Sequence, residues 1–468
     1  MIEKHDSIKN KIVFFYFGLT RKHKIEDLES LSKILDDILY LLKTSLCECD
    51  DTLEIEHYIS YFILLYKLIV YTRDIHVGKG ERDLTYMMIE IWYTYFPILA
   101  KYILETIPEN YGSWKDLKYF CKYTKNEKCI DYCIELWNNQ LEKDILEQED
   151  GKISMVSKWI PREKNAFGWL FEKSAIEWYS RMYFHLPMNK NKIKKEYRYI
   201  ISSIYRKIDT PPIKKNQKPD IIPCPENFQK YFSPTVSIPS KSFHLGEYIK
   251  YPHIQNQKYW NQIKTDILQT KSKNNITPIY LLPVINISIS NHEEYIDAIG
   301  IGCMISEISA IRNRIIVYDQ CASWINLNGC NLEQKINKIK AKTVLKGKSD
   351  ISSSLQLIKD AKPDKNLIIV FISDFSIDKI SELEMNEFGK VIFWNIGSKI
   401  PIFQIPSKMM VISGTSSSIL KYIYENIDII KENDFDPYFF INALMNQIRY
   451  KSVEEFFKKK IMYTNYIF

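Results

Sequence analysis

Residues 366–373 read Asn-Leu-Ile-Ile-Val-Phe-Ile-Ser and run directly into Asp374. The apolar residues from Leu367 to Ile372 follow one another without alternation. That is the pattern of a strand buried on both faces, as central strands of a parallel sheet are. Outward from it, Val391–Ile396 and Met409–Ile412 read as two later strands, and Arg314–Gln320 and Pro278–Ile289 as two earlier ones. Glu293–Ile308 and Asp350–Ala361 read as helices between them. Strands alternating with helices predict a doubly wound α/β domain on a parallel sheet, spanning 276–468 with helices at its end. Such sheets bind ligands beyond the carboxyl ends of their strands.

Several oxygen-bearing side chains are expected at those ends. Alternation after the first strand puts Asn286, Ser288 and Ser290 on one side. The loop before the mid-domain helix supplies Ser349, and the central strand ends in Ser373-Asp374. Oxygen donors alone suit a hard cation such as Mg²⁺. The competing reading is that the Asn and Ser side chains cap their own loops.

The first half of the chain has another rhythm. In Ile25–Leu42, apolar residues recur at three- and four-residue spacing (Leu28, Leu31, Ile34, Leu35, Ile38, Leu41), which predicts an amphipathic helix. Leu53–Tyr71 and Leu84–Ile107 are more apolar, as inner helices are, with Pro97 splitting the second. Ser113 with Asp116 three residues later approximates a capping box. Asn126–Asn139, Asn165–Phe184 and Lys192–Ile208 complete the series. Short links between such helices predict an α-helical, HEAT-like repeat domain over 1–210, although no sequence repeat is visible. Pro211-Pro212 ends it. Residues 211–275, with six further prolines and little periodicity, read as a linker or irregular connection.

At roughly 150 residues per domain, 468 residues leave room for two large domains or three. With 46% hydrophobic and 26% charged residues the chain has the balance of a globular protein, which excludes a disordered tail, a collagen-like fibre and a small disulfide scaffold. No run approaches the ~20 apolar residues of a membrane span, so a cytoplasmic protein with no membrane partner is expected. The nine cysteines include no Cys-x-x-Cys, and no histidine lies close to either of their groups, Cys47 with Cys49 and Cys121 with Cys129 and Cys133, which argues for reduced thiols over a zinc site.

The net charge of +7 is local. Residues 189–218 carry ten basic and two acidic side chains, so the rest of the chain sums to −1. On this segment's helix Ile193, Tyr197, Ile200, Ile201, Ile204 and Ile208 make one apolar stripe. Lys190, Lys192, Lys194, Lys195 and Arg198 fall mostly on other faces, either as a solvated surface or as a grip on a polyanion. Two further stretches carry candidate contacts. Gly78-Lys79-Gly80, flanked by Arg73 and Arg82, opens a helix whose free amides favour phosphate, but Asp74, Glu81 and Asp83 balance the charge. An inter-helix turn held by ion pairs explains it equally. Lys158, Arg162 and Lys164 beside Trp159 suit a nucleic-acid backbone and a stacked base, or else a loop anchored by a buried Trp.

These residues carry a resemblance. The second half resembles a von Willebrand factor A domain, whose metal-ion-dependent adhesion site uses Asp-x-Ser-x-Ser, a Thr on a second loop and an Asp on a third. Ser288 and Ser290 match the two serines, Ser349 the Thr and Asp374 the late Asp. Asn286 stands where the first Asp belongs, so the resemblance implies at most weak Mg²⁺ binding. The stretches Arg73–Arg82, Ile107–Leu117 and Ser157–Lys164 resemble, in order and wording, uncharacterised proteins of large DNA viruses of the mimivirus type and of cellular organisms. These join a helical domain similar to the TROVE module to a C-terminal A domain, and are more distantly similar to Ro ribonucleoproteins. Phe393–Ile396 and Ser413-Gly414 fit the same pattern. The resemblance implies RNA binding, in the host cytoplasm for a viral member, with no established activity.

No Walker A, His-Glu-x-x-His or Gly-x-Ser-x-Gly motif occurs, so no enzyme is expected. The expected function is ribonucleoprotein-type RNA binding. The alternative is a non-enzymatic scaffold whose A-domain rim holds a partner protein.

Overall fold

The computed structural model describes residues 2–22, 24–147, 153–183, 189–209, 244–250, 254–272, 278–342, 349–362, 366–375, 388, 390–399 and 409–463. In chain order the helices of the first half are α1 (Ile2–Gly18), α2 (Ile25–Cys47), α3 (Thr52–Arg73), α4 (Asp83–Tyr95), α5 (Pro97–Thr106), α6 (Trp114–Tyr123), α7 (Glu127–Leu146), α8 (Val156–Trp159), α9 (Gly168–Met182) and α10 (Lys190–Asp209). Then come α11 (Leu245–Lys250), α12 (Ile254–Ser272), β1 (Leu281–Asn286), α13 (His292–Ile308), β2 (Arg314–Tyr318), β3 (Ala322–Asn326), α14 (Leu332–Lys340), α15 (Ile351–Asp360), β4 (Ile368–Ser373), β5 (Val391–Asn395), β6 (Met410–Ser413), α16 (Ser417–Glu432), α17 (Pro437–Met445) and α18 (Lys451–Tyr463).

The chain divides into two compact units, one made of residues 1–91 and 242–468, the other of 92–241. This division does not follow the expected boundary at 210. The physical reason lies in α1 and α3. α1 packs on β6 and α17, and α3 packs on α17 and α18, so their apolar faces are buried by the C-terminal half. Nearly every residue of α3 from Tyr61 to Arg73 is buried, as an inner helix requires.

The sheet of the first unit has the order β3-β2-β1-β4-β5-β6. β1, β2, β4, β5 and β6 run parallel, and β4 lies fully buried between β1 and β5, as its unbroken apolar run implied. The edge strand β3 was not expected. It folds back on β2 as an antiparallel hairpin and buries only Ile325, so its sequence lacks the apolar run by which the others are recognised. α13 crosses β1 and carries Gly300 where α11 passes. A side chain there would meet the Leu245 backbone at 2.8 Å.

Part of the expected linker is therefore structured. α11 and α12 lie within 211–275 and pack on α13, with Trp260, Ile263 and Ile267 turned into the core. Residues 210–243 lie outside the described residues.

In the second unit Ser113 and Asp116 form the expected capping box at the start of α6. Pro97 begins a new helix after Phe96. Asn138 on α7 ties three helices, donating to the Ser174 carbonyl at 3.0 Å and accepting from the Tyr197 hydroxyl at 2.6 Å. None of the eight described cysteines is in a disulfide, and four of them are buried. Among the described residues no helix is long and apolar enough to cross a membrane.

Candidate nucleic-acid interface and sheet-rim site

β1 and β4 are neighbours, while the strand after β1 in sequence lies on its other side. Their carboxyl ends therefore flank the point where the strand order reverses. Asn286 ends β1 and Ser373 ends β4. The Asn286 amide nitrogen donates to Ser373 Oγ at 3.0 Å, and its oxygen accepts from the Ser288 amide at 2.9 Å and hydroxyl at 2.7 Å. Asn286 is buried and Ser288 half-buried. The side chain thus closes the β1 loop and links it to β4, the capping role that competed with metal binding. Ser290 is exposed, and Ser349 precedes Asp350, the N-cap of α15. Asp374 is half-buried beside Ser373. These donors fit a divalent cation poorly. Asp374 is the one carboxylate of the five, and the Asn286 oxygen is already committed to Ser288.

The carboxyl ends of β5 and β6 are used differently. Asn395 Nδ2 donates to the Phe17 carbonyl at 2.8 Å, and Ser413 Oγ donates to the Tyr16 carbonyl at 2.5 Å. Thr20 Oγ1 donates to the Gly397 carbonyl. The end of α1 therefore seats on this half of the rim.

Lys79 belongs to the same locus. Its backbone amide returns to the Tyr71 carbonyl at 3.1 Å, a turn that only glycine permits at position 78, because a Cβ there would lie 2.0 Å from Tyr71 O. The side chain, 1% exposed, donates to Leu19 O at 2.8 Å and Ser413 Oγ at 2.5 Å and lies 4.4 Å from the Tyr16 ring centroid. Burial pushes its ammonium well below the usual lysine range, with Glu81 opposing the shift. Arg73 is also buried, and its guanidinium reaches the Gly80 carbonyl. Neither presents its charge to a polyanion, so both are withdrawn as RNA contacts. Arg82 remains half-exposed. Asp74, which appeared to balance their charge, is fully enclosed and pairs with Arg449.

Beside this locus Arg21 pairs with Glu81 at 3.1 Å and meets His244 Nε2 at 3.2 Å, while His244 Nδ1 meets Thr415 Oγ1. Burial lowers the imidazole's proton affinity. Nothing in the sequence connected residues so far apart.

The second unit holds the other candidates. On α10 Ile193, Tyr197, Ile201 and Ile204 are buried, while Lys190, Lys192, Lys195 and Arg198 are exposed. Lys194 is partly covered and pairs with Glu172 at 3.1 Å and Glu163 at 3.7 Å. Arg198 meets Glu163 at 3.4 Å and Lys190 meets Glu172 at 3.6 Å. The Lys194 ammonium and hydrogen bond hold the Glu172 carboxyl below its usual range. Among the described residues Lys192, Lys195 and Lys164 make no such pair.

Lys158 and Lys164 are exposed on either side of Pro161. Arg162 is half-buried, donates to the Ser157 carbonyl at 2.9 Å and lies over the Tyr205 ring. Trp159 is half-buried, not enclosed as the loop-anchor reading required. Around it stand two lysines absent from the expected set. Lys115 Nζ lies 5.3 Å and Lys118 Nζ 5.5 Å from the indole centroid. Their three-residue spacing puts them on one face of α6, a signal readable once Ser113 is taken as the cap.

No protein-family model matches this chain, and no curated protein sequence matches it.

Proposed function

We propose that the chain is a non-enzymatic RNA-binding protein of ribonucleoprotein type, acting in the cytoplasm and gripping RNA with the second unit. The observation that carries this reading is α10. It turns one apolar stripe inward and leaves Lys190, Lys192, Lys195 and Arg198 facing solvent, with Lys192 and Lys195 lacking carboxylate partners among the described residues. A helix that buried its charges in local pairs would have no need of a partner. This one keeps an uncompensated basic edge, the footprint of phosphate contact. In the same proposal the helical unit is TROVE-like and HEAT-like, and the sheet is a von Willebrand A-like domain with a degenerate metal site. The meeting of β1 and β4 ends at Asn286 and Ser373 supports the latter.

The alternative, a scaffold whose rim holds a partner carboxylate, has less to stand on. The end of α1 covers the rim at β5 and β6, and the β1–β4 half lacks a charge set that holds a cation firmly.

The test is the salt dependence of RNA affinity. Each phosphate contact on a single strand contributes roughly 0.7 to the slope of log affinity against log salt. Replacing Lys192 and Lys195 with Gln should lower the slope by about 1.4. An unchanged slope would remove α10 from the interface, and absence of RNA binding at low salt would end the proposal.

A further inference from the structure

We infer that Lys115, Lys118 and Trp159 form a subsite for an unpaired nucleotide of single-stranded RNA. The indole face takes the base and the two ammoniums take the flanking phosphates. This rests on the reading of the second unit as RNA-binding and names the form of RNA it takes.

The ring is a suitable platform. Trp159 ends the four-residue helix α8, whose last turn is held by the Ile160 amide on the Val156 carbonyl at 3.0 Å and is followed by Pro161. It is anchored yet half-exposed. Lys115 and Lys118 come from α6, which packs on α8. Lys158 adds a third ammonium 5.9 Å from the same ring, and Lys118 also lies 5.1 Å from the Phe167 ring.

Three ammoniums gathered on one indole repel one another unless an anion joins them. Among the described residues none of Lys115, Lys118, Lys158 and Arg162 forms a salt bridge. The carboxylates nearby in sequence are committed elsewhere. Asp116 accepts from the Ser113 amide at 2.8 Å, Glu109 accepts from Trp114 Nε1 at 2.7 Å, and Glu163 pairs with Lys194 and Arg198. Burial lowers the Lys118 ammonium's proton affinity, and Lys115 and Arg162 lower it further. The cluster therefore lacks a counter-charge that a phosphate supplies. Lysine stems are flexible, so the ammoniums can turn from the ring to phosphate oxygens and leave the indole face to a base. In a duplex the bases already stack on each other and offer no free face, whereas an unpaired base does.

The experiment uses the full chain, a fluorescein-labelled oligoadenylate and a blunt RNA duplex of equal charge, read by anisotropy. Trp159→Leu should weaken oligoadenylate binding about ten-fold, the scale of one lost base stack, and leave duplex binding unchanged. Trp159→Phe should restore most of the loss. Lys115→Gln with Lys118→Gln, surface changes that spare the ring, should lower the salt slope for oligoadenylate by about 1.4. Equal losses on both RNAs, or none on either, would overturn the subsite. Wild-type protein that binds only duplex would overturn it too, while leaving RNA binding in place. Protein that binds neither RNA would fail the broader proposal first. Polyglutamate binding as tightly as oligoadenylate, and equally in Trp159→Leu, would assign the cluster to an acidic protein and overturn it.

Discussion

Asp74 offers the sharpest test of how the first unit is held together. Its carboxylate is fully enclosed and accepts four hydrogen bonds. Oδ1 receives the His76 amide at 2.9 Å and Arg449 NH2 at 3.3 Å. Oδ2 receives Arg449 Nε at 2.5 Å and the Tyr450 hydroxyl at 3.1 Å. Asp74→Asn keeps the shape and removes the charge. One side of the new amide then points a donor at donors. Breaking a buried ion pair by altering one partner costs about 3–5 kcal/mol. The Arg449 side chain is 34% exposed and can rehydrate, which places this case at the low end, near 3 kcal/mol. For a large unit each kcal/mol moves the melting temperature by about 2 °C, so calorimetry of the full chain should show a fall of about 6 °C. Arg449→Gln should cost more, because it leaves the carboxylate enclosed without its cation. The double variant should cost less than the sum, with a coupling of about 1–3 kcal/mol. Lys173→Gln, which breaks an exposed pair with Glu127, is the control and should change stability by less than about 1 kcal/mol. If Asp74→Asn melts within a degree of the wild type, the carboxylate is open to water and is not enclosed by Arg449 and Tyr450.

Two other outcomes follow from titratable or polar groups. Asn286→Asp loses the Nδ2 bond to Ser373 and sets a second carboxylate near Asp374, so without metal it should destabilise by about 1–3 kcal/mol. Mg²⁺ should raise the melting temperature of the variant and not that of the wild type, and an equal rise in both would show that the native rim already holds the ion. Asp297, half-buried on α13, has its carboxyl pushed up to about 7 by burial, against the pull of Arg21 and Lys250. The folded state then keeps a proton that the unfolded chain has released. The stabilisation it brings is complete below about pH 4 and is lost as pH rises through about 7. Asp297→Asn should gain on the wild type in melting temperature between about pH 5 and pH 8, and a constant gap would refute this.

How far the sequence speaks differs by element. β4 was plain because an unbroken apolar run has one physical reading inside a parallel sheet. The Ser113 box and the break at Pro97 were plain because they are local. β3 was not, since an edge strand that buries one side chain carries no apolar pattern. α12 hid for a related reason. Its buried residues Trp260, Ile263 and Ile267 make a narrow stripe among Asn, Gln and Lys. At the rim, Asn286 was correctly placed at a strand end, but only the geometry shows its amide spent on Ser288 and Ser373. In Arg73–Arg82, counting charges suggested balance. The actual partner of Asp74 is 375 residues away, and no local pattern reports that distance.

The division of the sheet rim has a structural cause. α1 ends at Gly18, and the last carbonyls of any helix lack intrahelical partners. Here the strand ends supply donors. Asn395 reaches Phe17, Ser413 reaches Tyr16, and Lys79 reaches Leu19 just beyond the helix. A serine hydroxyl and an asparagine amide buried at strand ends would otherwise be costly, as would the helix carbonyls. Each satisfies the other. Lys79 adds a donor that spans both, and its lowered proton affinity follows from being enclosed between them. The same residue types at β1 and β4 satisfy one another instead, through Asn286 and Ser373. That pair ties the Ser288 loop to the end of β4, and just beyond it the Phe375 ring meets Phe17 of α1, with centroids 5.5 Å apart. A variant that loosens α1 from β5 and β6 should therefore alter stability before it alters any binding at the β1 and β4 ends.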